Sequence, residues 1–446
     1  MAGHNHTPKD RAWVVAVTMG YGHLRAAYPL KELGGAHYLF ADDYPGIPSS
    51  DLKIWRNSRK FYETVSRFRN VPIVGTTAFK LLDDWQSIPA FYPRRDLSKA
   101  IFQVREAYHL FKRGFMKHLV AKFSREKLPL VTSFFLVAQA AEYHGFKKEI
   151  YCIVCDTDVS RIWAPLNPKT SKIKYLAPNR RVVERLKQYG VSPKRIYLTG
   201  FPMPKPLVGG TENQRVRVDI GARLANLDPT GIYERRFGPA VQKLLGARAY
   251  PSKKTHTLTL AFAVGGAGAQ REMAEPILKS LKPRIKSGEI RVMLIAGNRQ
   301  EVADYFTGVV RKLGMGGWKK GVSVLVGKDK QEYFKKFEHA LHEIDILWTK
   351  PSELSFYVAL GIPIILAPTI GSQEDFNSWW LRNIGAGIPP LDIRYTNEWL
   401  FDWLDSGWLA RAAMEGFTNA PGRGVYRIEE LVVHGKPLLP EPIEPV

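Results

Sequence analysis

Cysteine is nearly absent from this chain: 446 residues carry two, Cys152 and Cys155. Two cysteines cannot build a disulfide framework, and a zinc site would need a second pair of ligands. Both lie in the apolar run Ile150 to Cys155, so the expectation is a buried pair of small apolar side chains and no metal. Long apolar runs are missing too. The longest, Leu130 to Ala141 and Val358 to Ile370, fall short of the roughly 18 to 20 residues that cross a bilayer as a helix. The N-terminal Met-Ala-Gly-His-Asn-His lacks the charged and then apolar regions of a secretory signal, and the expected location is cytoplasmic. Acidic residues are scarce beside basic ones, 42 Asp and Glu against 65 Lys and Arg, which gives a formal charge of +23. An excess of that size predicts an anionic partner: nucleic acid, the inner membrane surface or a phosphorylated substrate.

What remains is the composition of a folded protein, since 45% hydrophobic and 24% charged residues exclude a disordered chain. The length predicts two or three domains. Short β-type runs alternate with helical patterns, the mark of α/β layers around parallel sheets. Candidate strands in the first half are Trp13 to Thr18, Ala36 to Phe40, Leu128 to Phe134, Glu149 to Val154, Ile173 to Leu176 and Arg195 to Thr199. The proline-rich segment Gly200 to Pro206 breaks the pattern. Strands resume at Thr255 to Val264, Arg291 to Ala296, Val322 to Val326, Ile344 to Leu347 and Ile362 to Ala367. This divides the chain into an N-terminal Rossmann-like domain (1–205), a connection (206–254), a C-terminal Rossmann-like domain (255–397) and a C-terminal helix and tail (398–446). A ligand belongs in the cleft between two such halves, beyond the carboxyl ends of the strands.

Residues 51–127 form a helical insertion in which basic and aromatic residues mix, from Trp55, Arg56, Arg59 and Lys60 to Phe111, Lys112, Arg113 and Phe115. The window 51–130 holds 17 Lys and Arg against 7 Asp and Glu, nearly half of the net charge in under a fifth of the chain. Such a face suits docking on an anionic membrane, where basic residues are attracted and aromatics seat at the interface. The plainer alternative is a solvated helical face whose aromatics belong to the core.

Three stretches have the residue types for chemistry. Gly20-Tyr21-Gly22-His23 follows the first strand, where glycines admit a ligand to the backbone, the next helix offers free N–H groups, and His23 can exchange a proton near neutral pH. Gly265-Gly266-Ala267-Gly268-Ala269-Gln270 follows the strand that opens the second half and can hold a diphosphate at a helix start. The third runs from Thr349-Lys350-Pro351-Ser352-Glu353 through Ala359-Leu360-Gly361-Ile362-Pro363 to Gly371-Ser372-Gln373-Glu374-Asp375-Phe376-Asn377. There Ser352 is a candidate helix cap, Glu353 either binds sugar hydroxyls or complements the helix dipole, and Glu374 and Asn377 share a helix face. Each stretch taken alone is also an ordinary turn or cap.

In this order, the three stretches resemble the GT-B glycosyltransferases of the peptidoglycan N-acetylglucosaminyltransferase and monogalactosyl- or glucosyl-diacylglycerol synthase type (glycosyltransferase family 28-like). Asp156-Thr157-Asp158 and Leu198-Thr199-Gly200-Phe201-Pro202 add weaker similarity. The resemblance spans residues 13 to 390 and implies two Rossmann-like domains facing a cleft. It implies a nucleotide sugar, UDP-linked by preference, on the C-terminal domain and a lipid or lipid-linked acceptor at a membrane surface. It implies an inverting transfer with no resident cofactor, and leaves nucleic acid an unfavoured partner. By position, His23 is the implied base, with Gly20, Gly22 and Asp158 in the cleft or on the acceptor side. Gly265, Gly266, Gly268, Gln270, Lys350, Ser352, Glu353, Gln373, Glu374 and Asn377 line the donor site. The chain departs from the pattern at Pro351-Ser352, which replaces glycines, and at Phe356, which stands where the ribose-binding glutamate falls. Two alternatives therefore accompany the transferase reading: a GT-B-like binding module that has lost its donor site, and a UDP-sugar 2-epimerase.

Overall fold

The computed structural model describes residues 11–35, 38–68, 88–251, 253–265, 268–318, 320–369 and 372–436. Two six-stranded sheets, one in each half, organise the chain. The first contains β1 (Trp13–Ala16), β2 (Leu39–Phe40), β3 (Leu130–Thr132), β4 (Ile150–Ile153), β5 (Lys174–Ala177) and β6 (Ile196–Leu198), in the order β2-β1-β3-β4-β5-β6. The second contains β7 (Leu258–Ala263), β8 (Ile290–Gly297), β9 (Val322–Val326), β10 (Ile346–Thr349), β11 (Ile364–Leu366) and β12 (Gly387–Ile388), in the order β12-β11-β10-β7-β8-β9. All neighbouring strands run parallel. Parallel strands covered by helices on both faces bury every side chain, which is why β3, β4 and β7 read as unbroken apolar runs with no buried-exposed alternation. Two α/β halves, each with an all-parallel six-stranded sheet, agree with the two Rossmann-like domains that the resemblance implies.

Strand order locates the ligand side of each sheet. In the first sheet the order reverses between β1 and β3, and in the second between β7 and β10. The loops after those strands diverge and leave a crevice beyond their carboxyl ends.

Residues 206–254, read from the sequence as a connection, contain the helices Gln214–Leu227 and Ile232–Leu245. The first is fastened to the second half by Arg223, 2% exposed, whose guanidinium donates to the carbonyls of Ile344, Leu360 and Leu341 at 2.9, 2.8 and 3.1 Å. The last described helix, Gly424–His434, returns to the first half. Tyr426 Oη accepts from Gly210 N at 3.0 Å, and a side chain at Gly424 would collide with the Phe201 carbonyl.

In the basic insertion four aromatics belong to the core, while Tyr92 and Phe102 are exposed. Trp55, Phe111, Phe115 and Phe123 are buried, with the Trp55 ring 5.4 Å from Phe115 and 5.9 Å from Phe134. Lys53, Arg56, Lys60, Arg105, Lys112 and Arg113 stay exposed, so the helices of this region are amphipathic with a cationic outer face. Among the described residues no helix is long and apolar enough to cross a membrane.

Candidate active site

At the first reversal point, Gly22 opens the short helix Gly22–Ala27 and His23 points back across β1 to β3. Its Nδ1 lies 2.6 Å from the Ser133 carbonyl, which can only accept, so Nδ1 carries the proton and Nε2 keeps the lone pair. Phe134 packs edge-on against the ring at 4.9 Å, and Cys155 Sγ lies 3.4 Å from Nδ1. Burial lowers the His23 pKa to about 4, outweighing the Ser133 contact and the Glu353 and Asp42 charges that raise it. The near-neutral titration expected of His23 is corrected accordingly: a desolvated imidazole stays uncharged at cellular pH and is a weak base. Both cysteines are buried and free, and among the described residues no cluster suits a metal ion.

At the second reversal point, the turn after β7 meets the end of β10. A side chain at Gly265 would run into the Lys350 side chain, whose ammonium is ion-paired with Glu374. Glu374 and the half-buried Gln373 belong to the first turn of the helix Ser372–Asn383. Gly268 has φ +71°, and a Cβ there would stand 2.9 Å from Val302. Gln270 donates to the Pro368 carbonyl at 2.7 Å, tying the glycine turn to the loop after β11. Gly266 lies outside the described residues.

Four of the expected site residues stand otherwise than the resemblance implies. Asp158, placed on the acceptor side by resemblance, is 1% exposed and held by Arg181 Nε at 2.9 Å and by Arg185 at 2.8 and 2.9 Å. It is a structural ion-pair centre. Ser352 makes no side-chain cap, and the next element is the 3-10 helix Glu353–Leu360, every residue of which is buried. Glu353 does not stand free at a helix start: its Oε1 takes Arg25 Nε at 3.0 Å across the cleft. Asn377 also spans the cleft, accepting from Thr157 N and Oγ1 at 3.0 and 2.7 Å and donating to the Pro351 carbonyl at 3.3 Å. Phe356 stacks on Phe201 with ring centroids 4.7 Å apart, closing with apolar surface the position where the resemblance expects a ribose ligand.

The residues missed are those that the two halves bring together. Arg25, 4% exposed, is surrounded by Tyr333, Phe334 and Phe337 at 5.2, 4.8 and 4.8 Å from their ring centroids and donates to Tyr333 Oη at 2.7 Å. A buried guanidinium needs such compensation, from rings as well as from its carboxylate. Tyr21 Oη donates to Asn298 Oδ1 at 2.5 Å.

Asp156 is the more consequential omission. It follows β4 and is gathered with Glu353, Glu374, Lys350 and Asn377. Burial, then Glu353, and then Glu374 push its carboxyl up to about 7, against an Asn377 hydrogen bond and the Lys350 charge. The Asp-Thr-Asp motif was visible in the sequence, but which aspartate faces the cleft was not.

Comparison with known proteins adds a frame to this geometry. A family model described as a domain of unknown function, DUF6938, matches residues 240–338. No curated protein matches the chain. Solved structures with a related shape include the MnaA–UDP co-structure from S. aureus, 9% identical, with 76% of this chain and 81% of that one covered at a TM-score of 0.43. A UDP-GlcNAc 2-epimerase from Neisseria meningitidis bound to UDP-GlcNAc is 10% identical over 74% and 82% of the two chains, with a TM-score of 0.42. Acinetobacter baumannii MurG is 14% identical over 80% and 88%, with a TM-score of 0.40. At such distances no residue role transfers from them.

Proposed function

We propose that this chain is a GT-B-type enzyme that moves a sugar from a nucleotide-activated donor to a hydroxyl of a lipid or lipid-linked acceptor. The observation that carries the reading is Asp156, a carboxyl poised at about 7 among Glu353, Glu374 and Lys350 in the cleft between the two sheets. A general base works best with a pKa near the working pH, and perturbed carboxyls gather at functional sites.

In this mechanism the acceptor oxygen attacks the anomeric carbon while its proton passes to the Asp156 carboxylate. The bond from that carbon to the diphosphate oxygen breaks, and its electron pair leaves with the nucleoside diphosphate toward Lys350 and the Gly265 turn. His23, neutral and with Nε2 as acceptor, receives a hydrogen bond from a second hydroxyl of the acceptor and orients it. The exposed cations Lys53, Arg56, Lys60, Arg105, Lys112 and Arg113 fit an acceptor presented at an anionic membrane.

Phe356 favours a second reading, a binding module without turnover, because its stack on Phe201 replaces a ribose-binding carboxylate with apolar core. Incubation of the full chain with a panel of UDP- and GDP-sugars separates the outcomes. Binding with slow release of nucleoside diphosphate is expected. Binding without any turnover selects the module, free epimerised sugar without an acceptor selects an epimerase, and no binding at all overturns the proposal.

A further inference from the structure

The loop after β4 is gripped from both halves of the molecule. From its own half, Asn179 Nδ2 donates to the Thr157 carbonyl at 3.0 Å. From the facing half comes Asn377, 1% exposed, whose Oδ1 accepts from both Thr157 N and Thr157 Oγ1. An amide oxygen that accepts twice fixes which end of the side chain is which, so Nδ2 is turned to the Pro351 carbonyl and to the Asp156 carboxyl, and donates to each. The facing half therefore holds the backbone of this loop as well as the acid it presents.

The charges around Asp156 come from that half too. Lys350 follows β10, Glu353 opens the next 3-10 helix, and Glu374 lies in the helix Ser372–Asn383. From the first half, Arg25 reaches across to hold Glu353, and His23, which Glu353 also faces, stays neutral. Asp158, on the same loop as Asp156, is held by Arg181 and Arg185. After burial, Glu353 is the strongest influence on Asp156, and it opposes ionisation. With the halves apart, Asp156 would lose the Glu353 and Glu374 charges together with the solvent exclusion of the closed cleft, and would titrate near the ordinary 3.8.

We propose that Asn377 and Glu353 are positioning residues for Asp156 supplied across the cleft, so that closing the cleft and protonating Asp156 are one coupled event. The coupling deepens the proposed function and rests on the reading of Asp156 as the base. A closed cleft keeps a proton that an open one releases, so a proton on Asp156 favours closure by the same factor. Opening therefore becomes easier as pH rises from 3.8 to about 7 and levels off above, where both states are ionised. In the transfer reaction Asp156 holds the acceptor's proton once the sugar has moved, and the cleft stays shut until that proton passes to water.

The test is amide hydrogen exchange, read by NMR on the full chain without substrate. The Thr157 amide reports closure, because its partner Asn377 stands in the other half, while Val154 N, bonded to the Leu176 carbonyl, reports the first sheet. Thr157 is expected to be less protected than Val154, and its protection factor to fall about tenfold or more from about pH 5 to 7 in the native chain while staying flat in Asp156→Asn. Glu353→Gln should shrink that fall at least about threefold; if this variant does not fold, the Asp156→Asn comparison decides alone. Asn377→Ala should lower the Asp156 titration, followed by carboxyl carbon NMR, because the loop is released from the acidic cluster. A rise there would mean a lost hydrogen bond and nothing more, and overturns the role of Asn377; an undiminished fall in folded Glu353→Gln overturns that of Glu353. Protection of Thr157 that ignores pH, that falls equally in Asp156→Asn, or that equals that of Val154 overturns the coupling itself. Sugar transfer is measured separately: pH-dependent protection in a chain that transfers no sugar keeps the coupling and removes the base, whereas transfer with flat protection removes the coupling alone.

Discussion

The loop after β4 carries an aspartate on each side of Thr157, and the two have opposite surroundings. Asp158 receives three guanidinium hydrogen bonds from Arg181 and Arg185 and accepts from Val159 N at 2.9 Å, with almost no exposure. Asp156, two residues earlier, has two carboxylates for neighbours and a proton affinity raised to about 7. A carboxylate matched by opposite charge and held by four hydrogen bonds serves the scaffold. One crowded by like charge can take or release a proton at cellular pH, and that makes it available for chemistry.

The comparison can be broken most directly at Asp156 itself. Asp156→Asn is expected to lower sugar transfer by about 10²-fold or more, the usual contribution of a general base, while UDP affinity measured by calorimetry stays within about twofold. A variant with undiminished turnover would remove Asp156 from the mechanism. On the scaffold side, Arg185→Ala leaves Asp158 buried with half its partners. By urea unfolding it should destabilise the protein by about 3 to 5 kcal/mol, and an unchanged midpoint would show Asp158 to be no structural centre.

The pH dependence sharpens the contrast. Folded Asp156 keeps its proton up to about 7 whereas the unfolded chain releases it near 3.8. The folded state therefore binds more protons across that window, and stability falls as pH rises through it. His23 works in the opposite sense, since it stays neutral when folded down to about 4 but gains a proton near 6.5 when unfolded. Measured as the difference between the native chain and Asp156→Asn, which cancels His23, the decline from pH 4 to 8 should be on the order of 2 to 4 kcal/mol. A flat difference contradicts the raised carboxyl. Over the same range the rate of sugar transfer should climb as pH passes about 7, as the base form appears.

The smallest expected effect lies at Lys350, which opposes the rise of Asp156. Lys350→Gln should move the Asp156 titration upward by roughly less than one unit, followed by carboxyl carbon NMR. A downward movement would mean that the ammonium does not act on Asp156.

Much of the scaffold was legible in the sequence. The expected strand Val322 to Val326 has those bounds in the structure, and the other candidates locate their strands to within about three residues at each end. β12 escaped because two residues, Gly387–Ile388, carry no periodicity. The meeting of the Gly265 turn with Lys350 was within reach, since both were assigned to the donor side of the cleft. Arg25 with Glu353 was not: 328 positions separate them, and Arg25 stands in an otherwise ordinary helical stretch. The aromatics of the basic insertion were compatible with both membrane and core, and packing against Phe134 and the first sheet assigned Trp55 to the core.

The sequence by itself determined the two α/β halves, the parallel strands and the glycine turns that follow them, because apolar runs, helical periods and turn residues act over a few neighbouring positions. Only the tertiary structure decided that Asp156 is gathered with Glu353 and Glu374, that Glu353 and Asn377 join the two halves, and that Arg59 and Lys330 meet at Thr18. Each of these depends on charge and solvent exclusion summed over segments far apart in the chain, and that sum exists only once the two sheets face each other.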